Sequence, residues 1–436
     1  MTDMTSATLY STARTHETRG GLKVITVSRP YLHEGAASLV VRAGSIEDPP
    51  GQRGLAHMAE HMMFGGAGDL SREEFQRQAS RAGARINAST SACLTQYAVD
   101  SHAETLAQVL AMLASAFRAP RMEGFETERR VLIEEARGAW HHGAPCGIGA
   151  AIRGAMFEGA AASNVVAGHP ADLAEIEEQD VRAYMARWHV LTNMHLTVAG
   201  PQGHEELYRM AASAFSSELP PQALPARQEV SLRASMSRPM FVHAVSDGER
   251  PTVTATWVGR VGQTQAIDAL DGYAMELVGM GTNSRLFDRV RNMLGLSYDP
   301  YGSCAVLGRY RIFTMGADTT QAKVADLTRA VRAVVDEAVL NGPSDAEIED
   351  TRMAARAYIF SHDDSIGGLA AIHSMTYELF GHVLDFDAAA ARIAETTRDE
   401  VHRAIRRVLV DAPLLVVAGA MPEEVDIARV WYEAGA

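Results

Sequence analysis

The sequence predicts an α+β protein made of two structurally similar domains in tandem, each a mainly antiparallel sheet with helices packed on it. Amphipathic helix patterns alternate with short apolar strand patterns along the chain. A helix that leads into a buried strand ending in Ala-Gly occurs twice, and the two final glycines, Gly200 and Gly419, lie 219 positions apart. A repeat at half the chain length is typical of a duplicated domain.

The domain boundary is predicted from a proline-containing segment near the middle of the chain. Three prolines between Leu219 and Pro225 are typical of a semi-rigid linker. With 436 residues, of which 47% are hydrophobic, the chain can form more than one sizeable core. We predict an N-terminal domain over 1–218, a linker over 219–228 and a homologous C-terminal domain over 229–436.

The first elements of the N-terminal domain are predicted from turn signals. Gly20-Gly21 indicates the turn of a hairpin over residues 9–25, whose second strand runs from Leu22 to Val27. A further apolar strand is predicted over 37–43.

Helix caps predict the next elements. Ser71 with Glu74, and Ser101 with Glu104, have the spacing of a capping box, so each pair is expected to begin a helix. The Gly- and Ala-rich stretch 143–168 has no periodicity that assigns a structure. The other elements predicted in this domain are strands over 85–91 and 95–99 and a helix over 123–141.

Composition and charge exclude several classes of protein. A net charge of −14 disfavours binding to nucleic acid or to an anionic membrane. No apolar run reaches the ~18 residues of a membrane span, and residues 1–5 lack a signal-peptide pattern, so a cytoplasmic location is expected. The three cysteines, Cys93, Cys146 and Cys304, are too few and too widely spaced for a disulfide framework.

Residues 54–64 place two histidines and a glutamate on one helical face. At about 100° per residue, His57 and His61 lie one turn apart with Glu60 beside His57. Neutral imidazoles bind Zn²⁺, which lowers the pKa of a water ligand towards ~7, and Glu60 could accept the proton. The order His-x-x-Glu-His is that of the inverted zincin motif. The alternative is two partly buried helix histidines beside a solvated glutamate.

A third ligand is predicted on the helix that begins near residue 123. Glu128 and Glu135 fall inside its apolar stripe, whereas Glu134 points the opposite way. Buried carboxylates require a positive partner, and a zinc ion would supply it, so Glu135 is the predicted ligand. Glu128 is predicted to have a catalytic role, either by supporting the metal ligands or by orienting substrate and water. Alternatively, the stripe is tilted and both carboxylates reach solvent. The apolar members of the stripe are Phe125, Leu132, Ala136 and Ala139.

With these residues the chain resembles the M16 metallopeptidases, the inverzincin group that includes pitrilysin, insulin-degrading enzyme and the mitochondrial processing peptidase. The resemblance extends over nearly the whole chain. It implies one Zn²⁺ per chain, bound by His57, His61 and Glu135, with Glu60 as the base. The separation of 74 positions from His61 to Glu135 is close to the usual spacing of the family. The segments that carry the resemblance are 57–61, 87–90 and 128–135.

The resemblance also implies how a substrate is held. It places the strand over 85–91 at a sheet edge beside the zinc, where Asn87, Ala88 and Ser89 would bind an extended peptide through main-chain hydrogen bonds. The alternative is an internal strand whose hydrogen bonds are already made.

In the second half, Arg291 and Tyr298 resemble the Arg-Tyr pair of these enzymes, seven residues apart. The implied role is to hold substrate carbonyls and to stabilise the oxyanion of the tetrahedral intermediate. From the residues alone, Arg291 is an exposed helical arginine and Tyr298 a strand residue.

The sequence thus predicts a zinc endopeptidase that hydrolyses short or unfolded peptides, either in bulk or as one dedicated precursor. In the family a closed chamber takes four such domains, and this chain supplies two, so a homodimer is expected, with a heterodimer with a related subunit as the rival. The alternative function is a non-catalytic subunit that supports an active partner. A zinc enzyme acting on a non-peptide bond is a more distant alternative.

Overall fold

The computed structural model of the chain describes residues 12–141, 144–216, 222–233, 240–244, 250–262, 264–409, 411–420 and 425–434. Contacts divide the chain into two compact units, each interrupted along the sequence. The first unit comprises the residues up to Arg137, Asn164–Gln228 and Ala357–Ala391. The second unit comprises Gly138–Ser163, Glu229–Arg356 and the residues from Arg392 onward. The predicted contiguous domains stay a prediction, and residues 219–221 of the predicted linker lie outside the described residues.

The strands are numbered here in chain order. They are β1 (Thr12–Glu17), β2 (Lys23–Ser28), β3 (Glu34–Val41), β4 (Arg85–Thr90), β5 (Thr95–His102), β6 (Trp140–His141), β7 (Ala144–Pro145), β8 (Met194–Gly200), β9 (Met240–Ala244), β10 (Thr252–Arg260), β11 (Tyr301–Leu307), β12 (Tyr310–Asp318) and β13 (Leu414–Ala418).

The α-helices are numbered in the same way, and a π-helical turn at Asp288–Met293 follows the tenth of them. They are α1 (Leu55–Met62), α2 (Arg72–Arg81), α3 (Leu106–Arg118), α4 (Phe125–Gly138), α5 (Ile148–Met156), α6 (Pro170–Glu175), α7 (Glu178–Trp188), α8 (His204–Ala214), α9 (Gln265–Val278), α10 (Arg285–Phe287), α11 (Val324–Asn341), α12 (Asp345–Asp363), α13 (Ile366–Phe380), α14 (Phe386–Glu395), α15 (Arg398–Leu409) and α16 (Ile427–Glu433).

Each unit contains one large mixed sheet. The first sheet has the order β1-β2-β8-β3-β5-β4, and the second has the order β11-β12-β10-β13-β9. In the first sheet only the β2–β8 pair is parallel, and in the second only the β13–β9 pair is parallel. The other neighbouring strands within each sheet are antiparallel.

The two sheets repeat one topology, which confirms the predicted α+β fold with two similar domains. From its β4 edge, the first sheet runs β4-β5-β3-β8-β2, and the second runs β11-β12-β10-β13-β9 with the same sequence of antiparallel and parallel pairs. Strand β1 is an addition at the far edge of the first sheet. The predicted repeat corresponds to α7 leading into β8 and α15 leading into β13.

Most of the predicted elements near the motif are confirmed, with two differences. The hairpin β1–β2 is present, although residues 9–11 lie outside the described residues, and Ser71 with Glu74 forms the predicted capping box. The predicted cap at Ser101 is wrong, because the chain is still extended there as part of β5 and α3 begins only at Leu106. The predicted helix over 123–141 ends at Gly138, before β6.

Segments distant in sequence complete each unit. Helix α13 packs on β3 and β8 of the first sheet, and α5, which lies in the Gly- and Ala-rich stretch, packs on β9 and β13 of the second. Each of the three cysteines is partly buried. Within the described residues, no helix is both long and apolar enough to cross a membrane. The cytoplasmic location stays a prediction.

Candidate metal centre

The loop before α1 fixes the position of the motif helix. The buried carboxylate of Asp48 accepts hydrogen bonds from the N–H groups of Gly54 (2.7 Å) and Ala56 (2.8 Å), which would otherwise be unpaired at the helix N-terminus. Arg53 forms a bidentate pair with Asp172 at 2.7 and 2.9 Å. These contacts fix the first turn of α1, which carries His57.

One face of α1 is buried in the core of the first unit and the other carries the motif. The buried side chains include Leu55, Met58 and Met62, each at most 2% exposed. The side chains of His57 and His61 are 12% and 22% exposed. The motif side chains therefore lie at the border between the core and solvent, where a ligand can reach them.

The structure brings the three predicted metal ligands together. Each of His57, His61 and Glu135 offers a ligand atom, and these atoms lie within 4.8 Å of one another. Among the described residues, this is the one group of three or more such side chains found at metal-binding separation. The two imidazole rings meet edge to face with centroids 4.8 Å apart.

The electrostatics of His57 suit a metal cation. Burial, assisted by the neighbouring His61, lowers the pKa of His57 to about 4, so its imidazole is neutral at pH 7. The Nδ1 atom of His57 is buried and has no hydrogen-bond partner among the described residues. Two imidazoles with a carboxylate are the donor set of a catalytic zinc site, so the residues present fit zinc.

Glu128 orients the second histidine. Its Oε2 accepts a hydrogen bond from His61 Nδ1 at 3.0 Å, which leaves His61 Nε2 free for a metal. Its Oε1 accepts a hydrogen bond from Arg72 Nη2 at 2.5 Å. Partial burial would raise the pKa of Glu128, but the hydrogen bonds from His61 and Arg72 outweigh it and lower the pKa.

The prediction that both glutamates of α4 lie in its buried stripe is correct for Glu128 and wrong for Glu135. The Glu128 side chain is 12% exposed, whereas Glu135 is exposed to solvent. The helix buries Phe125, Leu132 and Ala136, and Glu135 lies at the border of that face, so it reaches the histidines from the solvent side. Glu134 instead forms an ion pair with Arg137. Glu135 therefore lies with the histidines as predicted, although it is not buried.

Glu60 lies beside the histidines and is held by the end of strand β4. Its Oε2 lies 3.9 Å from His57 Nε2 and accepts a hydrogen bond from Thr90 Oγ1 at 2.7 Å. Burial raises the pKa of Glu60, and the hydrogen bond from Thr90 partly opposes this. Among the described residues, neither Glu60 nor Glu135 forms an ion pair with lysine or arginine.

Strand β4 is an edge strand, as the resemblance implied. Among the described residues it pairs only with β5, in antiparallel register from Arg85 to Thr90. The Ala88 N–H donates to the Asn87 side-chain Oδ1 at 3.0 Å. Asn87 and Ser89 are exposed and Ala88 is partly buried. The three residues predicted to bind a peptide therefore lie in a strand at the edge of the sheet.

Arg291 and Tyr298 lie in the second unit and contact each other. The Arg291 guanidinium carbon is 4.1 Å from the centroid of the Tyr298 ring, and Tyr298 is 78% exposed. Arg291 belongs to the π-helical turn and Tyr298 to the loop before β11, so Tyr298 is not the strand residue that the pattern alone suggested. The pair presents a cation and a phenol together at the surface of this unit.

Three residues of the site were missed by the sequence analysis. Asp48 caps α1, Arg72 contacts Glu128, and Thr90 contacts Glu60. Arg72 and Thr90 each lie at the end of a predicted element, where side chains often meet the neighbouring element, but no periodicity selects them. For Asp48, an acidic residue a few positions before a helix was a usable signal.

Two family profiles match the chain. Residues 23–145 match the insulinase family, peptidase family M16, and residues 175–355 match the peptidase M16 inactive domain. The first range contains the His57, His61 and Glu135 group, and the second contains Arg291 and Tyr298. The name of the second profile agrees with the absence of a His-x-x-Glu-His motif from the second half of the sequence.

Relatives of similar length carry zinc protease names. An uncharacterized zinc protease of Streptomyces coelicolor is 23% identical over 422 residues, which span 93% of this chain and 89% of the relative. Another from Rickettsia bellii is 23% identical over 379 residues, 83% of this chain and 87% of the relative. The beta subunit of the mitochondrial-processing peptidase of Lentinula edodes is 26% identical over 245 residues, 53% of this chain and 50% of that protein.

Solved structures share the fold. A protease from Helicobacter pylori superposes with a TM-score of 0.82 at 17% identity, covering 94% of this chain and 100% of the other. A structure described as the peptidase M16 inactive domain from Pseudomonas fluorescens gives a TM-score of 0.82 at 16% identity, covering 95% and 100%. The two profile matches show that the chain belongs to the insulinase family of peptidases, family M16.

Proposed function

We propose that this protein is a zinc-dependent endopeptidase that hydrolyses short or unfolded peptides. The observation that carries the proposal is the group of His57, His61 and Glu135, whose ligand atoms lie within 4.8 Å of one another with Glu60 beside them. Zinc bound to these residues, one ion per chain, would supply a Lewis acid that activates water and polarises a carbonyl.

Glu60 acts as the general base. Its carboxylate accepts a proton from the attacking water and passes it to the leaving amine. Burial raises the pKa of Glu60 and so makes the carboxylate more basic than an exposed glutamate. Thr90 holds Oε2 in place, and Glu128 keeps the His61 ring in one orientation.

An extended peptide would bind along the outer edge of β4. The N–H and C=O groups of an edge strand bind a peptide main chain with little regard to its sequence. The Asn87 side chain that accepts the Ala88 N–H would yield that donor to a substrate carbonyl. Such binding favours peptides without stable structure, because a folded protein cannot present an extended segment.

Arg291 and Tyr298 would complete the site on a partner chain. A guanidinium and a phenol in contact are suitable donors for the developing oxyanion. We propose a homodimer in which the zinc centre of one chain works with the Arg291–Tyr298 pair of its partner, which encloses the substrate in a chamber. The second candidate arrangement is a heterodimer with a related subunit. One relative is named as a beta subunit, which supports this alternative.

The proposed activity is tested with a quenched peptide library. We expect hydrolysis by the purified protein, loss of hydrolysis after dialysis against a chelator, and recovery on addition of Zn²⁺. Folded proteins and simple esters should resist cleavage. If the zinc-loaded protein cleaves none of the peptides, alone or with a related subunit, the proposed activity is wrong. The alternative, a non-catalytic subunit that supports an active partner, would then be favoured.

The proposed dimer is tested by complementation. Glu60→Gln and Tyr298→Phe are each expected to be nearly inactive as separate proteins. In a mixed dimer, the intact zinc centre of one chain meets the intact tyrosine of its partner, so mixing the two variants should restore part of the hydrolysis. If mixing restores nothing although mass measurement shows mixed dimers, the two groups act within one chain.

A further inference from the structure

Arg72 is connected to the zinc centre through one carboxylate. Its Nη2 donates to Glu128 Oε1 at 2.5 Å, and Glu128 Oε2 accepts from His61 Nδ1 at 3.0 Å. The Glu128 side chain is 12% exposed, so these contacts are only partly screened by water. A guanidinium, a carboxylate and an imidazole therefore form a continuous chain that ends at a predicted metal ligand.

The backbone around Arg72 holds its side chain in this position. The Arg72 N–H, at the start of α2, donates to Glu123 Oε2 at 2.8 Å. Gly124, directly before α4, has a φ of +83°, and a Cβ there would lie 2.7 Å from Arg72 Nη1. The absence of a side chain at residue 124 thus makes room for the guanidinium over the first turn of α4.

The second unit contains the same arginine–glutamate pair without a histidine. Arg285 begins α10 as Arg72 begins α2, and Glu347 lies in the first turn of α12 as Glu128 lies in that of α4. Arg285 Nε and Nη2 bind the two carboxylate oxygens of Glu347, at 2.6 and 2.9 Å.

The two pairs differ in how the carboxylate is used. Arg285 occupies both oxygens of its glutamate, whereas Arg72 occupies Oε1 of Glu128 and leaves Oε2 to His61. An arginine–glutamate pair that only connects two helices is expected to use both carboxylate oxygens, as Arg285 and Glu347 do. The one-oxygen contact in the first unit fits a carboxylate that orients a metal ligand.

We propose that Arg72 is a positioning residue of the zinc centre, which sets the orientation of His61 by fixing the Glu128 carboxylate. The inference rests on the proposed zinc site but not on peptide hydrolysis. Among the described residues, the Arg72 guanidinium hydrogen-bonds Glu128 and none of the three predicted metal ligands, so it acts through Glu128. Without the guanidinium, Glu128 keeps its charge but loses its fixed geometry, and the His61 ring loses a single preferred orientation.

Zinc affinity tests the proposal without any measurement of activity. The dissociation constant of Zn²⁺ is measured by competition with a chromophoric chelator for wild type, Arg72→Met, Arg72→Lys and Arg285→Met. Partners of metal ligands typically change metal affinity about 10–100-fold, and we expect this loss in Arg72→Met. Arg285→Met makes the same change in the metal-free pair and should leave zinc affinity within about twofold of wild type.

Lysine provides a second discrimination. A single contact can be replaced by an ammonium group, whereas a bidentate one cannot. Arg72→Lys should therefore recover most of the zinc affinity lost in Arg72→Met. If Arg72→Met does not fold, Arg72→Gln replaces it with the same expected loss.

Several results would overturn the inference. Wild-type zinc affinity in folded Arg72→Met, or in Arg72→Gln, would show that Arg72 does not position the site. An equal loss of affinity in Arg285→Met would show a general effect of stability. A wild-type protein that binds no zinc would overturn the proposed function and this inference together, whereas the first two results leave the proposed function standing.

Discussion

The two units place helices of different chemistry at the same position in the repeat. Helix α1 follows β3 and packs on α7, and helix α9 follows β10 and packs on α15. Helix α1 carries two histidines and Glu60, none of them paired with lysine or arginine among the described residues. Helix α9 carries Asp268, which pairs with Arg311, and Asp271, which pairs with Arg407.

The difference shows how one scaffold supports either a metal site or ion pairs. On α9 the carboxylates of Asp268 and Asp271 are each paired with a guanidinium, so neither needs a metal ion as its positive partner. Near α1, no lysine or arginine among the described residues pairs with Glu60 or Glu135, and burial lowers the pKa of His57, so its imidazole is a poor cation. A divalent cation would balance the first site, and the second is balanced without one.

The largest expected effect comes from removing the base on α1. Glu60→Gln should lower kcat for peptide hydrolysis by about 10²–10⁴-fold, because the amide cannot accept the proton of the attacking water. Zinc content should be retained, since Glu60 is not a predicted ligand. Glu276→Gln on α9 is the matched control and should leave kcat within about twofold. Wild-type turnover by Glu60→Gln would contradict the assignment of the base.

Breaking an ion pair on α9 should affect stability but not zinc. Asp271 is 4% exposed, so Arg407→Met leaves a buried carboxylate without its partner. We expect a loss of about 2–3 kcal/mol in the free energy of unfolding, below the value for a fully buried pair because Arg407 is 46% exposed. Urea unfolding measures the loss. Reduced zinc binding in Arg407→Met would contradict the claim that the ion pairs of α9 are independent of the metal site near α1.

The effect of pH sharpens this prediction. Burial raises the pKa of Asp271, and Arg407 opposes the rise. Without Arg407 the pKa of Asp271 in the folded state should rise further. A raised carboxyl pKa means that stability is lost as pH rises through the folded pKa, so the variant should be more destabilised at pH 8 than at pH 5. Equal losses at both pH values would argue against a charged Asp271 as the cause.

A smaller effect is expected from the hydroxyl that holds the base. Thr90→Val keeps the shape of the side chain but removes the hydrogen bond to Glu60, and should lower kcat by about 10-fold with little change in KM. Thr90→Ser restores a hydroxyl and should recover most of kcat. Thr15→Val, an exposed threonine on β1, is the control for loss of a hydroxyl on a strand. A change in KM alone would assign Thr90 to substrate binding.

The smallest effect is expected from breaking the Arg285–Glu347 ion pair in the second unit. Partial burial would raise the pKa of Glu347, but hydrogen bonds from Arg285 and Ser344 outweigh it and lower the pKa to about 2. A lowered pKa contributes stability above the unfolded value near 4.5 that is lost as pH falls towards about 2.

Arg285→Met should therefore cost about 1 kcal/mol at pH 7, after allowance for the 30% exposure of Glu347, and distinctly less at pH 3. Thermal unfolding across this pH range measures the difference. Arg329→Met, which removes an exposed pair with Asp326, should cost almost nothing at either pH. A loss in Arg285→Met that does not depend on pH would indicate lost packing rather than lost charge.

Much of the fold could be predicted from the sequence because its signals are local or repeated. The capping box at Ser71, the hairpin turn at Gly20-Gly21 and the repeat of α7–β8 as α15–β13 depend on neighbouring residues or on a fixed period. The failed cap at Ser101 shows the limit of local signals. Pairing of β5 with β3 and β4 extends the strand through Ser101, and this long-range pairing outweighs the cap.

Helix partners could not be predicted. The pattern of α13 indicates a helix with much buried surface, but not that it packs on the first sheet although it follows most of the second unit in sequence. Similarly, α5 packs on the second sheet although it lies in the first half of the chain. Periodicity encodes which face is buried and carries no information about the partner.

The site was predictable where its chemistry has a fixed spacing. His57 and His61 are one helical turn apart, so their joint position follows from helix geometry. Glu135 required the resemblance as well as the stripe, and the stripe was wrong about its burial. Arg72 and Thr90 reach the site through tertiary contacts with α4 and α1, which no local pattern encodes.

The central claim is that the three side chains near α1 bind one zinc ion per chain, and elemental analysis tests it most directly. Zinc per chain is measured in wild type, in Glu135→Gln and in the control Glu134→Gln. Glu134 is next to Glu135 in sequence, but its carboxylate pairs with Arg137 and is not part of the predicted ligand group. We predict about one zinc in wild type and in Glu134→Gln, and a loss of most of it in Glu135→Gln. Absence of zinc from the wild type after addition of the metal, or full retention in Glu135→Gln, would contradict the claim.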